Sequence, residues 1–395
     1  MMLTRYLQRN VVADLSEKMV FVAGPRQVGK TTMATQILEA QEKGVYLSWD
    51  RRADREAIRE ARWPIGEALV VLDEVHKYRQ WKRWIKGEFD THRGRLRFLV
   101  TGSARLDVYR RGGDSLQGRY HHYRLHPLSV AEVISAGETS PLPEPGTELA
   151  MPSEGVGEAW DTLGSMLRFG GFPEPFLKQS ARHYRRWQKE RLDRFFREDV
   201  RDLESVRDMS SLEHLAELVA ERVASLLSIN ALREDLEVSH RAVTGWIGIL
   251  ERLYHLFLVR PYQTRRVRSL RKMPKAYLWD SGLVDDPGAR LENVVALHLL
   301  KLCHLLEDAE GHRVALHFLR DTSGREVDFL VTHDNKPWFA VEVKLSSTRV
   351  DPSLRYFRDR LQIPWVYQVV LESDQMFVQD DVHCVPAHRF LAALA

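Results

Sequence analysis

Gly24-Pro25-Arg26-Gln27-Val28-Gly29-Lys30-Thr31-Thr32 is the stretch on which the fold turns. It fits G-x-x-x-x-G-K-[ST], it follows the apolar run from Met19 to Ala23, and behind it Met33, Ile37 and Leu38 recur at helical spacing. A buried strand, a glycine-bearing turn and a helix start are the context in which this pattern binds phosphate. Backbone N–H groups of such a turn, and the positive end of the helix dipole, face an anion. Gly24, Pro25, Arg26, Gln27, Val28, Gly29, Lys30, Thr31 and Thr32 are therefore expected to cradle a nucleoside triphosphate. Lys30 is expected to reach the β- and γ-phosphates, and the Thr31 hydroxyl to sit on Mg²⁺.

A second strand completes that expectation. Leu69-Val70-Val71-Leu72 is apolar throughout and ends in Asp73-Glu74. A central parallel strand is covered on both faces, and ligands bind at its carboxyl end. Asp73 is thus placed to hold Mg²⁺, and Glu74 to polarise the attacking water. Arg97-Phe98-Leu99-Val100 ends in Thr101-Gly102-Ser103, whose hydroxyls either reach the γ-phosphate or the water, or cap a helix.

Composition bounds the rest. The chain has 395 residues, enough for two or three domains, with 44% hydrophobic and 29% charged residues and a net charge of +3. That charge is too small to identify a nucleic-acid binder, so any basic surface must be local. Cys303 and Cys384 form no metal or redox spacing and suit a reducing, cytoplasmic setting. The sequence begins without the apolar core of a signal peptide, and no apolar stretch is long enough to span a bilayer. Even the stretch from Val294 to Leu306 is interrupted by His298, Lys301 and His304.

Short apolar runs alternate with helical patterns over the first 135 or so residues, the signature of a parallel α/β sheet. Candidate strands are Val20 to Ala23, Gly44 to Ser48, Ala68 to Leu72, Leu96 to Thr101 and His121 to Leu125. The stretch from Ser135 to Gly157, rich in Pro and Gly, is expected to be a linker or a long surface loop. A helical region then runs from about His183 to Leu258, and strands return from Lys275 onward. The expected divisions are 1–135, 136–182, 183–272 and 273–395.

GPRQVGKTT, LVVLDEVHK, FLVTGSAR and SLQGRYHHYRLHPLSVAEV occur in this order. Together they resemble the bacterial and archaeal AAA+ ATPase family whose C-terminal half is catalogued as a domain of unknown function. Gly171-Phe172-Pro173-Glu174 and Gly324-Arg325-Glu326-Val327-Asp328-Phe329 extend the likeness over most of the chain. The resemblance implies an α/β AAA+ core that uses ATP, with Thr101 and Ser103 as sensor residues. It also implies a homo-oligomer such as a ring, in which an arginine serves a neighbour's nucleotide. Arg119 is the first choice, with Arg110 and Arg111 as alternatives. An arginine acting in trans stabilises charge on the transferred phosphoryl group.

The helical middle holds two short helical patterns, from Ile229 to Leu236 and from Val238 to Ile247, separated by a tight turn. Ser239 suits the N-cap of the second, and the spacing is that of a helix-turn-helix with Ser239, His240, Arg241 and Thr244 exposed. Leu256 to Tyr262 and the basic run with Arg265, Arg266 and Arg268 look like the hairpin of a winged helix, an assignment that the family resemblance supports. Such a wing tracks phosphates of DNA, serves as a protein-interaction module, or is only a solvated loop.

Further on, a hairpin through Asp334-Asn335 whose turn centres on Asn335 would set Asp328 opposite Glu342, with Lys344 on the same face. Two carboxylates and a lysine can hold Mg²⁺ and activate water for phosphodiester cleavage. The order resembles the PD-(D/E)XK nuclease fold, and Glu292 matches that fold's helix carboxylate. A solvated charged strip and an inactive nuclease-like fold are the alternatives. Three functions stay open at this level: an ATPase acting on DNA, an ATP-regulated nuclease, and a nucleotide-dependent switch that binds proteins.

Overall fold

The computed structural model describes residues 3–103, 116–135, 142–153, 155–201, 206, 208–263, 273–346 and 349–395. The chain divides into two compact units, 1–126 and 127–395.

The first unit is built on five parallel strands: β1 (Met19–Ala23), β2 (Gly44–Ser48), β3 (Ala68–Asp73), β4 (Leu96–Thr101) and β5 (Tyr120–Arg124). Their order is β2-β3-β4-β1-β5. Every residue of β1 and of β3 is buried, which is what a strand covered on both faces requires and why both read as continuous apolar runs. Helices α1 (Gln8–Asp14), α2 (Lys30–Glu39), α3 (Arg52–Arg59) and α4 (Trp81–His92) accompany the sheet. Phe21 stacks on Tyr120 at 4.6 Å and meets Trp81 at 5.8 Å, joining β1, β5 and α4 in one core with Leu72, Ile85 and Phe98. The carboxyl ends of β1, β3 and β4 lie along one edge, and the phosphate-loop sequence leaves β1 there.

The second unit carries an eight-stranded mixed sheet in the order β12-β13-β11-β10-β9-β8-β6-β7. Its strands are β6 (Leu256–Pro261), β7 (Lys275–Leu278), β8 (Val314–Arg320), β9 (Glu326–His333), β10 (Lys336–Lys344), β11 (Trp365–Val370), β12 (Phe377–Gln379) and β13 (Val382–Pro386). β6 pairs antiparallel with β7, as a wing hairpin does, but it also pairs in parallel with β8. The expected helical region therefore ends before Leu256, and the hairpin extends the C-terminal sheet. Nor is the Pro-rich segment a free linker. Thr147 O accepts from Trp338 Nε1 at 2.7 Å, and Leu149 N donates to Tyr367 Oη at 3.1 Å.

Asp334 (φ 49°) and Asn335 (φ 61°) both adopt the left-handed conformation, the two-residue turn whose twist matches antiparallel strands. A register shift between Pro337 and Phe339 then aligns Val341 with Phe329. One step further, and because of that shift, Glu342 falls beside Asp328, whose amide donates to Glu342 Oε2 at 3.3 Å.

Two of the polar interruptions between Val294 and Leu306, His298 and Lys301, are anchors on the long helix Pro287–Glu310. Lys301 is buried with Glu132 at 2.7 Å and Ser129 Oγ at 2.7 Å. His298 donates from Nδ1 to Val294 O at 2.7 Å and accepts from Val130 N at Nε2 at 3.0 Å. The accepting nitrogen requires a neutral ring, and burial holds the His298 pKa down at about 4. Between this value and the ordinary one the unfolded chain binds the extra proton, so stability present above about pH 6.5 is lost as pH falls toward 4. Between pH 7 and 5 this residue is expected to remove on the order of 2 kcal/mol. Denaturant unfolding followed by tryptophan fluorescence checks this, because the wild type should lose that much more stability than His298→Gln. Equal losses would contradict it.

Candidate nucleotide site

Glycine is required twice in the loop. A Cβ on Gly24 (φ 151°) would stand 2.4 Å from Leu125 O, and Gly29 takes φ 99° at the N-terminus of α2. Lys30 is buried and curls back across the turn, donating from Nζ to Gly24 O at 2.9 Å and Pro25 O at 2.7 Å. Its ammonium is thus held over the loop that the sequence assigns to phosphates. Arg5, also buried, clamps the same loop from α1's leading segment by donating to Val28 O at 2.5 Å and His126 O at 2.6 Å. Nothing in the sequence around Arg5 singled it out.

Asp73 gathers three hydroxyls. Thr101 Oγ1 donates to Oδ1 at 2.6 Å, while Thr31 Oγ1 and Tyr46 Oη donate to Oδ2 at 3.1 Å and 2.5 Å. The strand order explains this, because β3 lies between β2, which carries Tyr46, and β4, which carries Thr101. Burial, and then Asp73, push the Tyr46 hydroxyl well above its ordinary pKa, so it remains a donor. Thr101 is fully buried, and its hydroxyl is directed at Asp73. Thr101 is thus a hydrogen-bond partner of Asp73 in this structure. Ser103 lies half-buried just beyond the end of β4.

Glu74 is the first residue past β3 and is left-handed at φ 57°. A non-glycine residue in that region costs on the order of 1–3 kcal/mol and is characteristic of sites where function fixes the backbone. Its amide is held by Thr101 O at 2.9 Å, and its Oε2 lies 3.4 Å from both Lys77 Nζ and His76 Nε2. Burial raises the Glu74 pKa, opposed by Lys77 and Lys30. A carboxylate raised toward neutrality is a better proton acceptor than an ordinary one. Lys77 also meets Asp50 at 2.8 Å, so it bridges the segments after β2 and β3.

Arg119 stands apart. It immediately precedes β5, at the end of the sheet opposite the phosphate loop, and is paired with Asp90 through Nε at 2.8 Å and Nη2 at 3.1 Å. It therefore has no part in its own chain's site, and to serve a neighbour's it would have to leave Asp90. The alternatives Arg110 and Arg111 lie outside the described residues, as do Arg265, Arg266 and Arg268.

In the second unit, Ser239 caps the helix His240–Arg252 by accepting from Ala242 N, and Ser239, His240, Arg241 and Thr244 are exposed. Asp328, Glu342, Lys344 and Glu292 do converge, together with two residues the motif did not name, Lys275 and Glu326.

Comparison with known proteins agrees with the first unit's geometry. Residues 16–134 match the family model described as an AAA domain. Over these residues the first unit is similar to AAA domains, in keeping with its phosphate-loop geometry. Residues 161–286 and 287–390 match two models described as domains of unknown function, DUF8612 and DUF4143. Uncharacterized protein MJ1544 of Methanocaldococcus jannaschii is 23% identical over 368 residues, covering 88% of this chain and 80% of its own length. Uncharacterized protein Rv2008c of Mycobacterium tuberculosis is 24% identical over 392 residues, covering 94% and 80%. Among solved structures, the Walker-type ATPase PABY2304 of Pyrococcus abyssi aligns with a TM-score of 0.41 at 12% identity, over 72% of this chain and 94% of that one. A Thermotoga maritima RuvB variant aligns at 0.31 and 15%, over 68% and 89%.

Tyr46 is the residue whose role the geometry adds. Removing its hydrogen bond to a charged acceptor costs about 1.5–3 kcal/mol. Tyr46→Phe is expected to slow ATP turnover about tenfold or more while leaving Mg²⁺-free nucleotide binding, measured by fluorescence titration, within twofold. Unchanged turnover would contradict the assignment.

Proposed function

We propose that this protein is a Mg²⁺-dependent ATPase whose hydrolytic cycle acts on DNA. The observation that carries the first half is the meeting of Thr31 Oγ1 and Asp73 Oδ2 at 3.1 Å, immediately behind Lys30. A hydroxyl and a carboxylate at this position are hard oxygen donors of the kind Mg²⁺ takes beside a nucleotide's phosphates. Thr31 and Asp73 would hold the ion, which when bound neutralises phosphate charge. Lys30 and the loop amides would bind the β- and γ-phosphates, an arrangement that stabilises charge without covalent chemistry. Glu74 would orient water and accept its proton, with His76 and Lys77 setting where its carboxylate rests. Tyr46 and Thr101 fix Asp73 and touch no substrate.

Lys30→Ala is expected to abolish ATP binding and turnover together. Glu74→Gln is expected to keep binding and lose hydrolysis by 10²-fold or more, consistent with the range for a general base. Phosphate release and nucleotide titration on purified protein distinguish the two. Full turnover by Glu74→Gln would overturn its role.

The DNA half rests on the exposed helix start at Ser239, His240 and Arg241, following the helix Ile229–Asp235 as in a helix-turn-helix. Affinity for duplex DNA should fall as salt rises, and Arg241→Ala should weaken it and flatten that dependence. Binding that is absent at low salt would favour a switch that engages proteins.

A further inference from the structure

We propose that the carboxylate cluster of the second unit is a metal-free ion-pair lock. In it the Lys275 ammonium takes the place that a divalent cation holds in a phosphodiester-cleaving centre. The resemblance to PD-(D/E)XK nucleases implies Mg²⁺ on Glu292, Asp328 and Glu342, so these residues must be tested for fit. They do not fit. Lys275 Nζ lies 3.1 Å from Glu292 Oε1, 2.8 Å from Glu326 Oε1 and 3.2 Å from Asp328 Oδ1. Three carboxylates around an ammonium with three protons leave that group fully partnered. Mg²⁺ demands oxygen ligands at about 2.0–2.1 Å in octahedral array and keeps several waters.

Lys275 is not a surface lysine fallen into a cleft. Its side chain is 2% exposed, its backbone pairs with Val259 in the β6–β7 ladder, and its ammonium lies 5.7 Å from the Phe318 ring. Burial would push its pKa down, but Asp328, Glu292 and Glu326 together outweigh this and hold it up. A second cation entering the same ring of oxygens would meet a fixed positive charge across only a few ångströms.

Further donors crowd the same carboxylates. Tyr277 Oη donates to Glu292 Oε1 at 2.6 Å, and Val343 N to Asp328 Oδ2 at 3.0 Å. Glu342 points elsewhere, accepting from Lys344 Nζ at 2.7 Å and from Asp328 N at 3.3 Å, while Lys344 also pairs with Asp351 at 3.0 Å. Among the described residues no group of three or more His, Cys, Asp or Glu side chains is arranged to hold a metal ion. What the cluster does hold together is the chain. Lys275 belongs to the segment 161–286, whereas Glu292, Glu326 and Asp328 belong to 287–390. One ammonium therefore ties two family segments into a single sheet, and no water-activating ion is part of it.

The test is Mn²⁺ uptake by the nucleotide-free full chain, read from the EPR signal of free Mn²⁺. Wild type, Asp328→Asn and Glu292→Gln should take up the same amount, the nucleotide site being common to all three. Wild type should also leave supercoiled plasmid uncut in Mn²⁺. In Lys275→Met, uptake should rise by about one ion per chain, the melting temperature should recover on adding Mn²⁺, and both effects should vanish in Lys275→Met/Asp328→Asn. Wild type that takes up one more ion per chain than Asp328→Asn and Glu292→Gln would overturn the proposal, whether or not Lys275→Met folds.

Discussion

Asp73 is a buried carboxylate at the carboxyl edge of a parallel sheet, and its surroundings must supply donors in place of the water it has lost. Three hydroxyls from three elements do so: Thr31 from α2, Tyr46 from β2 and Thr101 from β4. Each can reach Asp73 only if β2, β3 and β4 are neighbours and α2 begins where β1 ends. The strand order, the loop at Gly24 and the left-handed Glu74 all converge on that one side chain. An unsatisfied buried charge costs several kcal/mol, so this convergence adds to the apolar core a constraint on which strands are neighbours.

Much of this was legible in the sequence because the signals were redundant. The runs at Gly44 to Ser48 and Leu96 to Thr101 are strands over those same residues, and β1 and β3 read as apolar runs because a doubly covered strand leaves little room for polar interruption. The loop and Asp73 were legible because phosphate and metal chemistry restrict which residues suffice. Tyr46 and Arg5 were not, since a tyrosine in a strand and an arginine before a helix are compatible with many surroundings. Thr101 stands at the strand end that its spacing gives it, and the strand register, which the sequence does not show, turns its hydroxyl onto Asp73.

The second unit shows the same limit from the other side. The turn at Asp334-Asn335 starts the hairpin, and the register shift between Pro337 and Phe339 is what brings Glu342 beside Asp328, since the turn alone would leave them one residue out of step. The motif did not reveal Lys275, which reaches the cluster from β7 across the sheet order β9-β8-β6-β7. A short acidic pattern describes which ligands are present and omits what already occupies them. Charge is balanced differently in the two units: Asp73 is met by neutral hydroxyls beside a lysine bound to its own loop, whereas Asp328 is met by an ammonium.

The central claim is that Asp73, held by those hydroxyls, makes the loop at Gly24 a Mg²⁺-dependent hydrolytic site. Its most direct test is phosphate release from saturating Mg²⁺-ATP by purified Asp73→Asn, which keeps the shape of the side chain and removes its charge. The account predicts turnover reduced at least a hundredfold, with nucleotide binding in Mg²⁺-free buffer retained. Turnover within twofold of the wild type would contradict it.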